Sequence, residues 1–290
     1  MGTKSKILTG VTGALLLAAA AVFFFPGRKP VADVRQPRAP SAKTSRAHEN
    51  RQLVDRALGS KPGKMEAVRK FGKDLSLDEM KDIFAFLRSN KERVPALKNE
   101  MLNALRAQKE PPPGLARLLM DIYRDREQDP VMRDYALQHM TLFYSKAALD
   151  DKARMQQVFW QGLGEKDGSI AGTALLSLNF LSQNTPAFDK EKFKHEALSL
   201  AKDENAGEMA RITALQVCGR NGIYDALPLA RKLAKKSPSV PLRISAIAAL
   251  GDLGGPESRP FLKGLAEGPD ERLKPAAQSA LKRMKNRLSA

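Results

Sequence analysis

A single cysteine, Cys218, leaves this chain with no partner for an intrachain disulfide and too few thiolates for a cysteine-held zinc or iron–sulfur centre. Its three histidines, His48, His139 and His195, are scattered, so no compact imidazole metal site is visible. No cofactor is expected. Aromatic residues are scarce at 6%, and alternating runs of β-branched residues are missing, which argues against a sheet protein. An acidic balance is also lacking. The net charge is +17 over 290 residues, which favours anionic partners or surfaces. What the chain does have is 42% hydrophobic and 28% charged residues, rich in Leu and Ala, the composition of a folded helical protein.

Charge is absent from one long stretch. Ile7 to Phe25 are nineteen uncharged residues flanked by Lys4, Lys6, Arg28 and Lys29. As a helix they would extend roughly 28 Å, close to the hydrocarbon thickness of a bilayer. A signal anchor fits this length. The competing reading is a cleaved signal peptide, cut near Ala20, which would leave Val22 and three phenylalanines near the mature end. The expected location is therefore a single-pass membrane protein with its body on the extracytoplasmic, periplasmic side; secretion after cleavage is the alternative. Residues 26–51 follow with four prolines, seven basic and two acidic residues, and they read as an extended linker.

From residue 52 onward the apolar spacing is helical. Ser76-Leu77-Asp78-Glu79 has the form of a capping box, and Pro95 suits a first helical turn. Pro111-Pro112-Pro113-Gly114 interrupts the pattern, and Gly222 suits a left-handed residue ending a helix. The expected boundaries are an anchor at 1–25, the linker at 26–51, divergent helical repeats at 52–114 and a regular array at 115–290. About fourteen helices in antiparallel pairs are expected from 52 to 290.

The helices repeat. Arg211-Ile212-Thr213-Ala214-Leu215 returns as Arg243-Ile244-Ser245-Ala246-Ile247, and Gly222 returns as Gly254, each 32 residues on. A further copy begins at Lys274, with Ala277 and Ala280 in place of Ala246 and Ala249. A period of 30–40 residues with two helices per copy signals an all-α solenoid. The stretch Leu242 to Gly254 resembles the first helix of HEAT repeats, in particular the short variety of the phycobilisome lyases. The resemblance implies antiparallel helix pairs, a habit of binding other macromolecules, and second helices lining a concave face. It also implies a polar ladder between neighbouring repeats. The candidates here are Asp129, Arg133, Arg211, Arg243, Asp270 and Lys274, although Gly207 and Ser239 stand where an acid would precede Arg211 and Arg243.

Ser199-Leu200-Ala201-Lys202 and Ser279-Ala280-Leu281-Lys282 have the S-x-x-K form, but no K-T-G follows. Gly162, Gly164 and Gly168 miss the dinucleotide fingerprint. Cys218 and His139 sit at apolar helical positions and read as core, and Trp160 reads as packing. No catalytic or metal-binding residue is expected, and the chain is read as a non-enzyme.

Charge is unevenly spread. Residues 1–51 carry nine basic and two acidic side chains. Residues 52–206 carry 25 and 23, and residues 207–290 carry 15 and 7. Arg231, Lys232, Lys235 and Lys236 cluster on one second helix, with Arg259 and Lys263 on the next, and together they are the expected partner-binding face. The functional expectation is a membrane-tethered scaffold that binds a protein or another anionic ligand. The alternatives are a nucleic-acid binder with a basic concave face and a lyase- or glycosylase-like enzyme on the same repeats. Nucleic acid is not favoured, because no base-reading motif is present.

Overall fold

A computed structural model describes residues 42–89 and 94–289. Within them the chain forms fourteen α-helices, three short 3₁₀ turns and no strand. The helices are α1 (Ala42–Leu58), α2 (Lys64–Arg69), α3 (Leu77–Arg88), α4 (Pro95–Arg106), α5 (Leu115–Arg124), α6 (Pro130–Phe143) and α7 (Leu149–Gly162). They continue as α8 (Gly168–Asn184), α9 (Lys190–Lys202), α10 (Glu208–Arg220), α11 (Leu227–Lys236), α12 (Val240–Leu253), α13 (Arg259–Glu267) and α14 (Lys274–Leu288). No helix among the described residues is long and apolar enough to cross a membrane. The Ile7–Phe25 stretch and residues 26–41 of the linker lie outside the described residues.

The first helix begins earlier than the sequence suggests. Residues 42–51, expected to be extended, form the first part of α1. No proline follows Pro40 there, and Ala, Lys, Arg, Glu and Gln all favour a helix. Asn50, buried on α1, accepts a hydrogen bond from the Gly72 N–H at 3.1 Å and donates to Asp74 at 3.4 Å, which fastens α1 to the turn after α2. Val54 and Ala57 complete the seal.

Parity organises the helices. The even helices from α2 to α14 contact one another in sequence as one row, while each odd helix from α5 to α13 lies against the even helix that follows it. An even helix is thus covered on three sides, by two row neighbours and one odd helix. That is why α8, α10 and α12 are apolar around most of their circumference. The odd helices α5, α11 and α13 bury one stripe and carry charge on the other side.

Local signals fix the helix ends. The Ser76 hydroxyl accepts from the Glu79 N–H at 3.3 Å, and the Glu79 carboxylate accepts from the Ser76 N–H at 2.7 Å, completing the expected box. Asp129, Asp167, Asp189 and Ser239 cap α6, α8, α9 and α12. Gly222 has φ 63°, the left-handed conformation expected of it.

Candidate functional site

Arginine at the fourth position of an even helix ties the rows together. Arg133 Nε donates to the Tyr123 carbonyl at 2.8 Å, Arg211 Nε to Ala201 at 3.5 Å and Arg243 Nε to Ala234 at 3.2 Å. Each acceptor lies in the last turn of the preceding odd helix, where carbonyls lack intrahelical partners. Lys98 repeats the device in α4, donating to Leu87 and Ser89.

The carboxylates of this ladder are not arranged as the sequence suggests. Asp129 caps its own helix, and the acid against Arg133 is Glu165, 2.6 Å away in the turn before α8. Glu165 also accepts from Arg126 and from the Tyr123 hydroxyl. Burial alone would raise its pKa, but these hydrogen bonds outweigh burial and hold it low. Asp270 reaches back to Arg243 at 3.7 Å and holds Arg272, whereas Lys274 pairs with Glu271. The sequence reading missed Glu165 because it stands 32 residues beyond Arg133 and outside any helix.

Half of the expected basic face is matched by the chain's own acids. Arg231, Lys232, Lys235 and Lys236 lie on α11, and Arg259 and Lys263 on α13, all in the odd row. Arg231 pairs with Glu257 at 2.6 Å, Lys232 with Glu204 at 3.4 Å and Lys263 with Glu267 at 3.8 Å. The Lys235 ammonium lies 5.4 Å from the centre of the Phe261 ring. Only Lys236 and Arg259 of the six have no acidic or aromatic partner within the described residues. The six residues thus share the odd row, with three of them in ion pairs.

A groove does form on the even row. It has a volume of about 760 Å³ and runs over the C-terminal halves of α10, α12 and α14. Gly219 and Gly251 make its floor, occupying equivalent positions 32 residues apart. A Cβ on Gly251 would come within 2.6 Å of the Ala280 Cα, so glycine permits the close approach of α12 and α14. Arg220, Arg283 and Arg287 line the walls with Asp252 and Asn286.

These arginines are held to different degrees. Arg283 is set rigidly: Nε donates to Asp252 at 2.6 Å and a terminal nitrogen to the Ala248 carbonyl at 3.1 Å. Arg287 donates to the Gly254 carbonyl. Arg220 is exposed and has no ion-pair partner among the described residues. Three guanidinium groups against one carboxylate leave the groove positive. Planar guanidinium forks match carboxylates and phosphates.

Other singled-out residues are structural. Burial pushes the Cys218 thiol up to about 12, which keeps it protonated. Trp160 stacks on Phe188 at 5.7 Å, and the Lys192 ammonium lies 4.5 Å from the centre of the Trp160 ring. His195 is exposed beside Glu196. His139 is buried between Arg106 and Asn99.

Two rows of helices, nested by parity, define an α-solenoid of helical repeats. The family described as HEAT repeats matches residues 196–282, so this stretch carries HEAT repeats. No curated protein matches the chain. A solved structure of human deoxyhypusine hydroxylase in complex with glycerol is similar at 17% identity and a TM-score of 0.39. That likeness covers 86% of this chain and all of the other. It corrects the expectation of a non-enzyme, since the similar chain is an enzyme and helical repeats are no ground for excluding catalysis. A likeness this distant assigns no reaction here.

Proposed function

We infer that the protein is a membrane-tethered HEAT-repeat scaffold whose even-row groove receives an acidic segment of a partner protein. The carrying observation is the trio Arg220, Arg283 and Arg287 around a glycine floor. The sequence holds no base-reading motif, so an acidic protein segment suits the groove better than nucleic acid. The tether rests on the uncharged Ile7–Phe25 stretch, and Lys4 and Lys6 before it support an extracytoplasmic body, while Arg28 and Lys29 after it pull the other way. The short repeat, resembling the phycobilisome-lyase variety, supports a binding role.

The test measures fluorescence anisotropy of a labelled oligo-glutamate peptide with the full-length protein. Binding should weaken as salt rises, and Arg220→Glu should reduce affinity by about fivefold or more, as loss of a steering charge at an interface does. Binding that ignores Arg220→Glu, or duplex DNA that displaces the peptide at equal concentration, refutes the acidic-partner reading. For the tether, the protein should stay with membranes through a carbonate wash; release into the supernatant refutes it.

A further inference from the structure

The groove does not end in charged surface. Its upstream neighbours on the same row carry exposed apolar side chains: Leu142 on α6 is 61% exposed, and Leu176 and Phe180 on α8 are 41% and 42% exposed. Leu149, at the start of α7, is 83% exposed. Phe180, Leu149 and Pro186 line a second cavity of about 660 Å³, which also includes Tyr144 and Ala153. Four large exposed apolar side chains on α6, α8 and the start of α7 are more than the scattered single exposures of an ordinary surface.

Hydrogen bonds between row neighbours place this patch in line with the groove. Thr141 on α6 donates to Ser177 on α8 at 2.6 Å, one residue from Leu142 and from Leu176. Asn221, just beyond α10, donates to Asn179 on α8 at 2.8 Å. Phe180 follows Asn179 and Arg220 precedes Asn221, so the apolar patch and the first groove arginine stand on neighbouring helix ends. Arg283 then joins α14 to α12 through Asp252. Along one edge of the even row, the apolar patch on α6 and α8 is thus followed by the basic groove on α10, α12 and α14.

From this layout we propose that the edge is a two-part docking surface for an extended segment of a partner protein. The segment carries an acidic cluster for the arginine groove and a large apolar side chain for the Leu142–Leu176–Phe180 patch. Charge complementarity in the groove selects the acidic part, and the exposed patch at one fixed distance selects the apolar part. The proposal rests on the acidic-partner reading above. The patch centres between α6 and α8 and the groove on α12, about two and a half helix steps apart. At roughly 9 Å per step that is about 22 Å, or about seven residues of extended chain. The two contacts reinforce each other only when one chain reaches both.

Three labelled peptides test this with the full-length protein, each made in both chain directions. One carries four glutamates alone; a second adds Leu-Phe seven residues from them; a third adds Leu-Phe two residues away. The seven-residue spacing should bind about tenfold more tightly than glutamate alone, as expected for a tethered second contact that buries apolar surface. The short spacing should show no such gain. Phe180→Ser with Leu142→Ser should abolish the gain and leave the glutamate peptide's affinity unchanged, with the circular-dichroism spectrum intact because both side chains are exposed. The two-part surface is overturned if glutamate alone binds in an Arg220-dependent way and neither spacing improves on it, or if the gain survives the double substitution. If glutamate alone does not bind, the acidic-partner reading fails first and this proposal falls with it.

Discussion

His139 shows how a single side chain records its surroundings. Arg106 Nε donates to its Nδ1 at 2.8 Å, so the ring's own proton sits on Nε2, facing the Asn99 carbonyl oxygen at 2.9 Å. Burial, and then the charge of Arg106, lower its pKa from 6.5 to about 3. The unfolded chain takes up this proton below 6.5 and the folded chain resists until about 3, so the unfolded state binds more protons across that window. Stability contributed by this site is present above 6.5 and is lost as pH falls toward 3. His139→Gln should therefore flatten the decline of melting temperature on acidification, relative to the wild type, at some cost at neutral pH. Equal slopes in the two proteins would show that the site does not titrate as described. Its place in an apolar stripe made His139 legible as a core residue. Its partners were not legible, since Arg106 and Asn99 stand 33 and 40 positions away on another helix.

At the scale of the helix, what matters is how near two neighbours come. Alanine at Gly251 would meet the backbone of Ala280, whereas alanine at Gly219 would meet first the Asp252 carboxylate oxygen at 3.0 Å. A backbone cannot swing aside, so Gly251→Ala should destabilise by about 1–3 kcal/mol, as overpacking does. Gly219→Ala should be nearly neutral, because a gain in helix propensity of about 1 kcal/mol offsets a small side-chain shift. Thermal melts of the two variants check this, and equal losses would contradict it. Helix identity, the capping box and the left-handed Gly222 were readable in the sequence because each depends on neighbours within a few positions. The outward face of the even row was not. With α8, α10 and α12 covered on three sides, apolar residues ring the helix, and periodicity no longer tells which positions face out. Nothing in the spacing therefore sets Phe180 and Leu142 apart from core positions. The matching glycines at 219 and 251 were the available sign that the row closes up there. The basic cluster on α11 and α13 was visible by composition, but two of its three pairing acids, Glu204 and Glu257, stand outside both helices.

Over the whole array, each repeat touches only its neighbours, so stability is built from local seams. The seams are unequal. Helix α13 rests on α14 far more than on α11 or α12. A chain ending after Gly268 keeps α13 and loses its main support. It should melt within a degree or two of a chain ending after Gly255, since an unsupported helix of nine residues is marginal in water. A clear stabilisation by α13 alone would show that it docks independently. The boundary expected at residue 115 rests on the Pro111–Gly114 break and the reach of the resemblance, and upstream of it α2 and α4 extend the even row.

The same one-way nesting gives the chain a direction in time. A ribosome releases an odd helix before the even helix that shelters it, so every growing chain carries one bare helix at its trailing end until the next is made. Folding can follow synthesis step by step, yet never quite catch up with it. The most recently emerged odd helix is the moving point at which a chaperone would find something to hold.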